Sequence, residues 1–452
     1  MTPGTPRPAQ QPAAPPIVEV EEDVYSFEPA NNGSGPTWCY GSTSLVRIGE
    51  RVFASGMETL KDASPLNNCR WMLFAREPDG WKKVRVDPSG RTREPCPLVG
   101  FPDGRLFLSA NPTIAKDPAA RTGPARPEIL QFRAADPEAA PRTLLPQWEG
   151  DPPFAEHSYR TFAADGENHG LILFQNIGYT HAEWSFLDRE GAWRARGRII
   201  WPRGADYEEP QPVRVCYPNV ALRDRAVHFC GVSDIIEPNR EWRAYKEGLT
   251  GRKGHYDFRR LFYTWTPDIT AEPFAPWTEI ASREKTSGSV SPGDLWVAPD
   301  GAIHVLWTEQ AMDAHLRDRF YPGEKQSHAL NYAVIRDGSV VRRQTLCLAE
   351  EGRSDEAPGT GRFQVTPDHR LFVLYYVSGK SAEGSPVSEN RLVEIHTDGS
   401  VSPPIRVPLA QPFRRFFTAT TRGGSPPSAA MELFGHRADT PQTMSYARIR
   451  LS

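Results

Sequence analysis

Two stretches of the chain concentrate side chains that can exchange protons or bind anions. Residues 157–181 and 214–260 supply most of the candidates, and one more comes from residue 309. The candidates for proton exchange are His157, His181, Tyr217 and Tyr256. The candidates for substrate binding are Asn176, Tyr179, Arg214, Arg260 and Glu309. Histidine and tyrosine serve as general acids and bases, and arginine binds carboxylates through two parallel hydrogen bonds.

These residue types suit β-elimination from a uronic acid, which is a sugar that carries a carboxylate. Arginine would neutralise this carboxylate and so acidify the neighbouring C5 proton. A histidine or tyrosine would remove that proton, and a second one would protonate the leaving oxygen. A glycoside hydrolase would instead use two carboxylic acids. The main acidic candidates are Glu58, Asp234, Glu237 and Glu309, and they form no evident pair in the sequence.

Each candidate also has a purely structural interpretation. His157 could cap a turn, His181 heads a predicted outer strand, and Tyr217 could be a packing aromatic. Arg259 and Arg260 project to opposite sides of one strand, because side chains alternate along a strand. At most one of the two arginines therefore faces a common site, and Arg260 is the one we prefer.

The elements that must position these residues are repeats of one pattern. Seven times an apolar run is followed by a tight polar turn and a second apolar run, as in LWVAPDGAIHVLW (295–307). The turns lie at Gly49, Asp103, Asp165, Asp224, Asp300, Asp368 and Gly423. Two further strand patterns follow most of the pairs. Antiparallel repeats of roughly 40–50 residues or more are typical of propellers, so we predict an all-β, seven-bladed β-propeller with four strands per blade.

The two ends of the chain are expected to meet in the last blade. The final repeat is one strand short, and IVEVEEDVYSF (17–27) is a strand pattern without a blade of its own. We therefore predict that this N-terminal strand closes the ring and leaves no exposed edge. Residues 1–16 are Pro-rich and predicted to be disordered, and residues 17–452 are predicted to form a single domain. The basic segment 233–258 is interpreted as a long loop over the same face, either covering an acidic glycan or solvated.

Composition narrows the class of partner. The chain has 452 residues, a formal net charge of −3, 44 prolines and 36 glycines, which fits short strands joined by turns. The near-neutral charge gives no support for nucleic-acid binding, and no apolar run is long enough for a membrane helix. The six cysteines form no zinc-ribbon spacing, and one or two disulfides stay open. No secretory signal is visible, so the protein is either intracellular or exported by a signal outside this sequence. Of these two locations we expect the second, a secreted or periplasmic one, and we expect the protein to be a monomer.

The sequence resembles the seven-bladed propeller polysaccharide lyases, which include ulvan lyases and lyases of rhamnose–glucuronic acid linkages. The resemblance rests on NNGSGPTWCYGSTSLVRIGERVFASGMET (31–59) and PLNNCRW (65–71) and extends over most of the chain. It implies an acidic polysaccharide or oligosaccharide as substrate. It also implies two histidines, a tyrosine and an arginine at the site.

Carried onto this chain, the implied histidines are His157 and His181. The implied tyrosine is Tyr217 or Tyr256, and the implied arginine is Arg214 or Arg260. No cofactor is required. Some family members hold a structural metal, such as calcium or zinc, to which His255, His315 and His328 could contribute here.

Two other functions stay open. A glycoside hydrolase of rhamnosidase or sialidase type could use the same scaffold, although sialidases usually have six blades and a motif near the start that is absent here. A non-catalytic glycan-binding propeller is the third possibility. The uneven repeat lengths and the lack of a recurring Trp-Asp dipeptide argue against a WD-type scaffold.

Overall fold

The computed structural model describes residues 15–120 and 122–451, and the predicted disordered segment 1–16 lies outside this range except for its last two residues. Seven four-stranded antiparallel sheets form a β-propeller, which confirms the predicted fold class. We number the sheets as blades 1–7 in chain order and give the strands of each blade from the axis outward.

Blades 1–3 occupy the first half of the chain. Blade 1 consists of Leu45–Ile48, Arg51–Thr59, Cys69–Glu77 and Gly80–Val86. Blade 2 consists of Leu98–Gly100, Arg105–Ala110, Glu128–Arg133 and Arg142–Leu144. Blade 3 consists of Thr161–Asp165, Gly170–Ile177, His181–Leu187 and Trp193–Ile200.

Blades 4–7 complete the ring. Blade 4 consists of Val215–Arg223, Ala226–Ser233, Arg260–Thr266 and Thr278–Ser282. Blade 5 consists of Ser289–Val297, Ile303–Gln310, Ser327–Arg336 and Ser339–Glu350. Blade 6 consists of Ala357–Val365, Leu371–Lys380, Pro386–Ile395 and Ile405–Arg406. Blade 7 consists of Phe413–Thr418, Ala430–Arg437, Thr443–Arg450 and the N-terminal strand Ile17–Ser26.

The N-terminal strand closes the ring as predicted. It pairs antiparallel with the last strand of the chain, from Ile17 opposite Arg450 to Ser26 opposite Thr443. This pairing gives blade 7 its fourth strand and covers an edge that would otherwise present unpaired backbone groups.

The core lies between the blades. Seven clusters of buried apolar side chains each combine two neighbouring sheets, so every sheet is covered on both faces. The predicted hairpin turns hold the inner strand pairs together; at Asp165, for example, the carboxylate accepts the backbone N–H groups of Glu167 and Asn168 at 3.0 Å each. Such side chain–backbone bonds favour turns over continued strand.

The segment 233–258 differs from the expected loop. It contains helix α1 (Arg240–Thr250), which begins where Asn239 accepts the backbone N–H of Trp242 and ends at Gly251 with φ +66°. Two short pairings, Arg203–Gly204 with Gln211–Pro212 and Ile235–Ile236 with Tyr256–Asp257, lie outside the blades. A single-turn helix, α2 (Arg317–Phe320), and a 3-10 turn, Glu284–Thr286, complete the described elements.

The structure also bears on the cysteines and on membrane crossing. All six cysteines are free, so no disulfide supports the fold. No helix within the described ranges has the length and apolar character that crossing a membrane would require.

Candidate active site

The candidate residues lie on the face of the propeller where the innermost strands begin, which we call the upper face. The segment 36–42, which precedes blade 1, brings Trp38 and Tyr40 across this face to blade 4. A Cβ atom on Gly41 would lie only 2.4–2.5 Å from the carbonyl oxygens of Tyr217 and Pro218. Glycine is therefore the residue that allows the segment to approach the inner strand of blade 4 so closely.

Four rings meet where this segment reaches blades 3 and 4, and we call them the aromatic cluster: Trp38, Tyr40, Tyr159 and Tyr217. Trp38 stacks on Tyr159 with centroids 4.8 Å apart, and Tyr40 stacks on Tyr217 at 4.5 Å. Tyr159 and Tyr217 meet edge to face at 5.0 Å. Stacked rings of this kind form an apolar platform of the sort on which a sugar ring can rest.

Two members of the aromatic cluster have unusual backbone conformations. Tyr159 has φ +39° and Tyr217 has φ +47°, in the left-handed region that non-glycine residues rarely adopt. Tyr217 also lies at an irregularity in the pairing of the two inner strands of blade 4. Such conformations cost about 1–3 kcal/mol each and occur preferentially at functional sites.

His157 is held at the edge of the aromatic cluster by a buried carboxylate. Its Nδ1 lies 3.0 Å from Oε1 of Glu94, and its ring centroid is 4.5 Å from that of Tyr159. The imidazole is 28% exposed, whereas the Glu94 side chain is 1% exposed. Nε2 makes no hydrogen bond to any described residue and is the nitrogen available to a ligand.

The charge of Glu94 fixes how His157 can act. Burial alone would raise the pKa of Glu94, but hydrogen bonds from His157 and Ser158 and the charge of Arg160 outweigh it and leave that pKa below its usual range. Ser158 contributes both its backbone N–H, at 2.9 Å, and its hydroxyl. Because an ionised carboxylate only accepts, Nδ1 must carry the hydrogen, and neutral His157 presents its lone pair at Nε2.

The tyrosines of the cluster are proton donors at neutral pH. Burial is the main cause that raises the pKa of Tyr40, Tyr159 and Tyr217 above the ordinary value for tyrosine. For Tyr217 a hydrogen bond with Tyr159 opposes this effect only in part. The site therefore combines a histidine with a free lone pair and tyrosines that keep their protons.

Arg214 links the aromatic cluster to an exposed pair of tyrosines. Its guanidinium forms an ion pair with buried Asp234 at 2.5 Å and lies 5.0 Å from the ring centroid of Tyr159 and 4.0 Å from that of Tyr179. The hydroxyls of Tyr179 and Tyr256 are 3.0 Å apart, and the two residues are 43% and 45% exposed. Five predicted residues, His157, Tyr179, Arg214, Tyr217 and Tyr256, thus lie in one connected group.

His181 and Asn176 lie on blade 3 near this group but are engaged elsewhere. Nδ1 of His181 is 2.7 Å from the hydroxyl of Thr180, and Nε2 is 3.2 Å from Glu183, so both ring nitrogens have partners. Asn176 is buried and donates to the carbonyl of Gly178 at 3.0 Å. Among the described residues, no hydrogen bond or ring contact joins His181 to the aromatic cluster, and its catalytic role stays a prediction.

Arg260 and Glu309 are not brought to the group. Arg260 pairs with Glu279 at 2.5 Å on the outermost strand of blade 4. Glu309 accepts hydrogen bonds from Arg283 at 2.7 Å and from the indole of Trp307 at 2.5 Å. Both side chains are engaged by these partners, and their roles in binding also stay predictions.

Arg259, the neighbour of Arg260, belongs to a buried ionic network that anchors helix α1. It bonds to both oxygens of Glu237 at 3.0 Å and lies 3.1 Å from Asp257. Glu237 also binds Lys246 of the helix at 2.9 Å. The helix is therefore fixed beside the site by charge pairs that solvent does not reach.

The histidines considered as metal ligands do not converge. His255 bonds to the hydroxyl of Thr250 at 2.9 Å, and His315 bonds to Asp313 at 3.0 Å. Within residues 15–120 and 122–451 there is no group of three or more His, Cys, Asp or Glu side chains arranged to hold a metal ion.

Sequence reasoning missed the residue that orients His157. Glu94 precedes the inner strand of blade 2, as Tyr159 precedes that of blade 3, and Tyr217 lies near the start of the inner strand of blade 4. That position was a usable signal, because innermost strands begin on the upper face in every blade. The approach of Trp38 and Tyr40 to blade 4 had only one signal, the glycine at position 41.

Comparison with known proteins supports the fold. No protein-family model and no curated protein sequence matches the chain. The solved structure of polysaccharide lyase Uly1 matches with a TM-score of 0.54 at 12% identity, over 96% of this chain and 93% of that one.

Weaker matches are an α-L-arabinofuranosidase of Fusarium graminearum and an apocarotenoid oxygenase of Synechocystis. The first has a TM-score of 0.44 at 10% identity, over 96% of this chain and 98% of that one. The second has a TM-score of 0.46 at 11% identity, over 92% and 97%. The chain thus shares its propeller fold with a polysaccharide lyase.

Proposed function

We propose that this protein is a polysaccharide lyase that cleaves a glycosidic bond to a uronic acid by β-elimination. The observation that carries the proposal is the bond between His157 and Glu94, which leaves Nε2 of the histidine free next to protonated Tyr159, with Tyr217 in contact with the other side of this group through Tyr159. A base and an acid of this kind are what an elimination requires. Ulvan or another rhamnose–uronate glycan is the substrate class that we propose, and a secreted or periplasmic location would suit it.

In the proposed reaction, Nε2 of His157 removes the C5 proton of the uronate. The electron pair forms the C4–C5 double bond, and the C4–O bond breaks. Tyr217 donates its hydroxyl proton to the departing oxygen. Transfer of the C5 proton from His157, directly or through water, then restores the tyrosine. The Glu94 carboxylate stabilises the imidazolium that forms in the first step.

Two arginines are proposed to bind the substrate carboxylate. Arg214 is the predicted one, although Asp234 already compensates its charge. Arg93 has no carboxylate within ion-pair distance among the described residues, and its guanidinium lies 6.0 Å from the ring centroid of Trp38. We therefore expect Arg93→Ala to slow elimination more than Arg214→Ala does, with both variants checked for intact folding.

The carboxylates of the site argue against a hydrolase. Glu94 and Asp234 are both about 1% exposed, and each is held by hydrogen bonds or an ion pair to a neighbouring side chain. Hydrolysis needs one carboxylic acid and one carboxylate that reach the bond. Neither residue is free to reach it.

The test is a screen of uronate polysaccharides, including ulvan and pectic substrates, followed by the ultraviolet absorbance of the unsaturated product. We expect absorbance with at least one substrate and its loss in His157→Ala. His396→Ala, in an outer turn of blade 6, is the matched control and should keep full activity. New reducing ends without the absorbance would indicate a hydrolase, and neither signal with any substrate would overturn the proposal.

A further inference from the structure

A second cavity opens on the upper face, next to the proposed active site. It has a volume of about 320 Å³ and lies where the inner strands of blades 5, 6 and 7 begin. We call it the arginine groove, because Arg362, Arg414 and Arg415 line it. Tyr40 lines it too and stacks on Tyr217 at 4.5 Å, so the groove and the aromatic cluster are continuous.

The arginine groove carries uncompensated positive charge. Its lining contains three arginines and no aspartate or glutamate. Arg414 and Arg415 are exposed, and neither forms an ion pair with any residue in the described part of the chain. An unpaired cationic surface of this kind attracts anions more strongly than a surface with alternating charges.

Arg362 adds a buried charge at the floor. Its guanidinium donates to three backbone carbonyls, those of Phe416 at 3.1 Å, Tyr40 at 2.6 Å and Gly293. The nearest carboxylate, Asp294, is occupied by Arg422 at 2.7 Å. Burial lowers the pKa of Arg362 to about 10, which still leaves the group charged at neutral pH.

The rest of the lining suits a sugar. Four hydroxyl-bearing residues, Thr308, Thr360, Tyr376 and Ser378, line the cavity together with three glycines. Hydroxyls and backbone amides are the groups that hydrogen-bond to sugar hydroxyls, and they would be unnecessary for a simple inorganic anion.

We propose that the arginine groove is a binding subsite for an anionic residue of the same polysaccharide, carrying a carboxylate or a sulfate ester. The inference rests on the proposed function, since the polymer would run from His157 across Tyr40 into the groove. Arg414 and Arg415 would pair with the anionic group, and the hydroxyls would bind the ring.

The test measures binding separately from cleavage. The protein with His157→Ala is titrated with ulvan, desulfated ulvan and neutral arabinan by calorimetry. Adding Arg414→Ala and Arg415→Ala should weaken binding of ulvan by about tenfold or more, given the strength of charge-assisted hydrogen bonds. Arg142→Ala is the matched control, because Arg142 is an exposed arginine on the outermost strand of blade 2 and forms no ion pair with any described residue.

The outcomes separate the two proposals. Weaker binding of ulvan in the double arginine variant supports the groove even if no substrate is cleaved. Persistence of the effect with desulfated ulvan assigns the groove to the carboxylate, and its loss assigns the groove to the sulfate. Unchanged binding, an equal loss in Arg142→Ala, or an equal effect on arabinan would overturn the subsite.

Discussion

Replacing Glu94 by glutamine would remove the charge behind His157 while keeping the size of the side chain. The carboxylate lies 3.0 Å from Nδ1 and is 1% exposed, so water screens the interaction little. Glutamine can still accept a hydrogen bond from Ser158. It can also donate its amide hydrogen to Nδ1, and this would favour the tautomer that carries its hydrogen on Nε2 and weaken the base.

The expected loss follows from the strength of the bond. A hydrogen bond to a charged group contributes about 1.5–3 kcal/mol. If this stabilisation is realised when His157 becomes an imidazolium, turnover should fall by about 10- to 150-fold, at about 1.4 kcal/mol for each factor of ten. The Michaelis constant should change little, because Glu94 does not touch the substrate.

The assay is the initial rate of absorbance increase on the substrate found in the screen, with circular dichroism as the check on folding. Because Glu94 acts through His157, the double variant should be no slower than His157→Ala alone. A variant with wild-type turnover, or losses that multiply in the double variant, would refute the assignment of Glu94 as the residue that orients the base.

Four further predictions concern the structure around the site. Burial raises the pKa of Asp257 to about 8. The stability contributed by its protonated form is therefore complete at acid pH and lost as pH rises through about 8. Asparagine cannot ionise, so the melting temperature of Asp257→Asn should fall less than that of the wild type between pH 5 and about 9. Glu237→Gln, in the same network, should cost about 1.5–3 kcal/mol in a denaturant titration, because it removes the charge that Arg259 and Lys246 share and leaves each cation with its weaker partners, Glu284 and Asp313. Gly41→Ala places a Cβ about 2.5 Å from backbone oxygens, and should destabilise the fold by about 1–3 kcal/mol and slow turnover; unchanged values would contradict the close approach. Deleting residues 1–26 should produce higher oligomers in size-exclusion chromatography, whereas deleting 1–14, the matched control, leaves the closing strand in place.

The repeat pattern was sufficient to predict the ring, its seven blades and its closure, because hairpins with polar turns are local features of sequence. The sequence also placed His157, Arg214 and Tyr217 on one face, since the beginning of an innermost strand has a fixed location in a propeller. The ion-pair partners of the charged side chains were not predictable in the same way. Whether Arg260 or Arg214 reaches the site depends on which carboxylate each arginine meets, and those carboxylates come from distant positions.

The segment around α1 shows a second limit. Its charged residues gave the pattern of a solvated loop, yet Lys246 and Arg259 are buried against Glu237. Charged residues in a sequence are normally assigned to the surface, and only the structure shows which of them are buried against a partner of opposite charge. Glu94 was missed for the same reason, because a single acidic residue before a strand has no sequence signature of burial.

The crossing segment 36–42 has a consequence for the order in which the molecule can be completed. Its backbone is held by the guanidinium groups of Arg362, at Tyr40, and Arg422, at Gly41. During synthesis these arginines leave the ribosome long after Trp38 and Tyr217 have done so. A nascent chain that has made only the first four blades would therefore possess the side chains of the proposed active site without the arginines that hold the crossing segment. The complete site would form late, with the final blade.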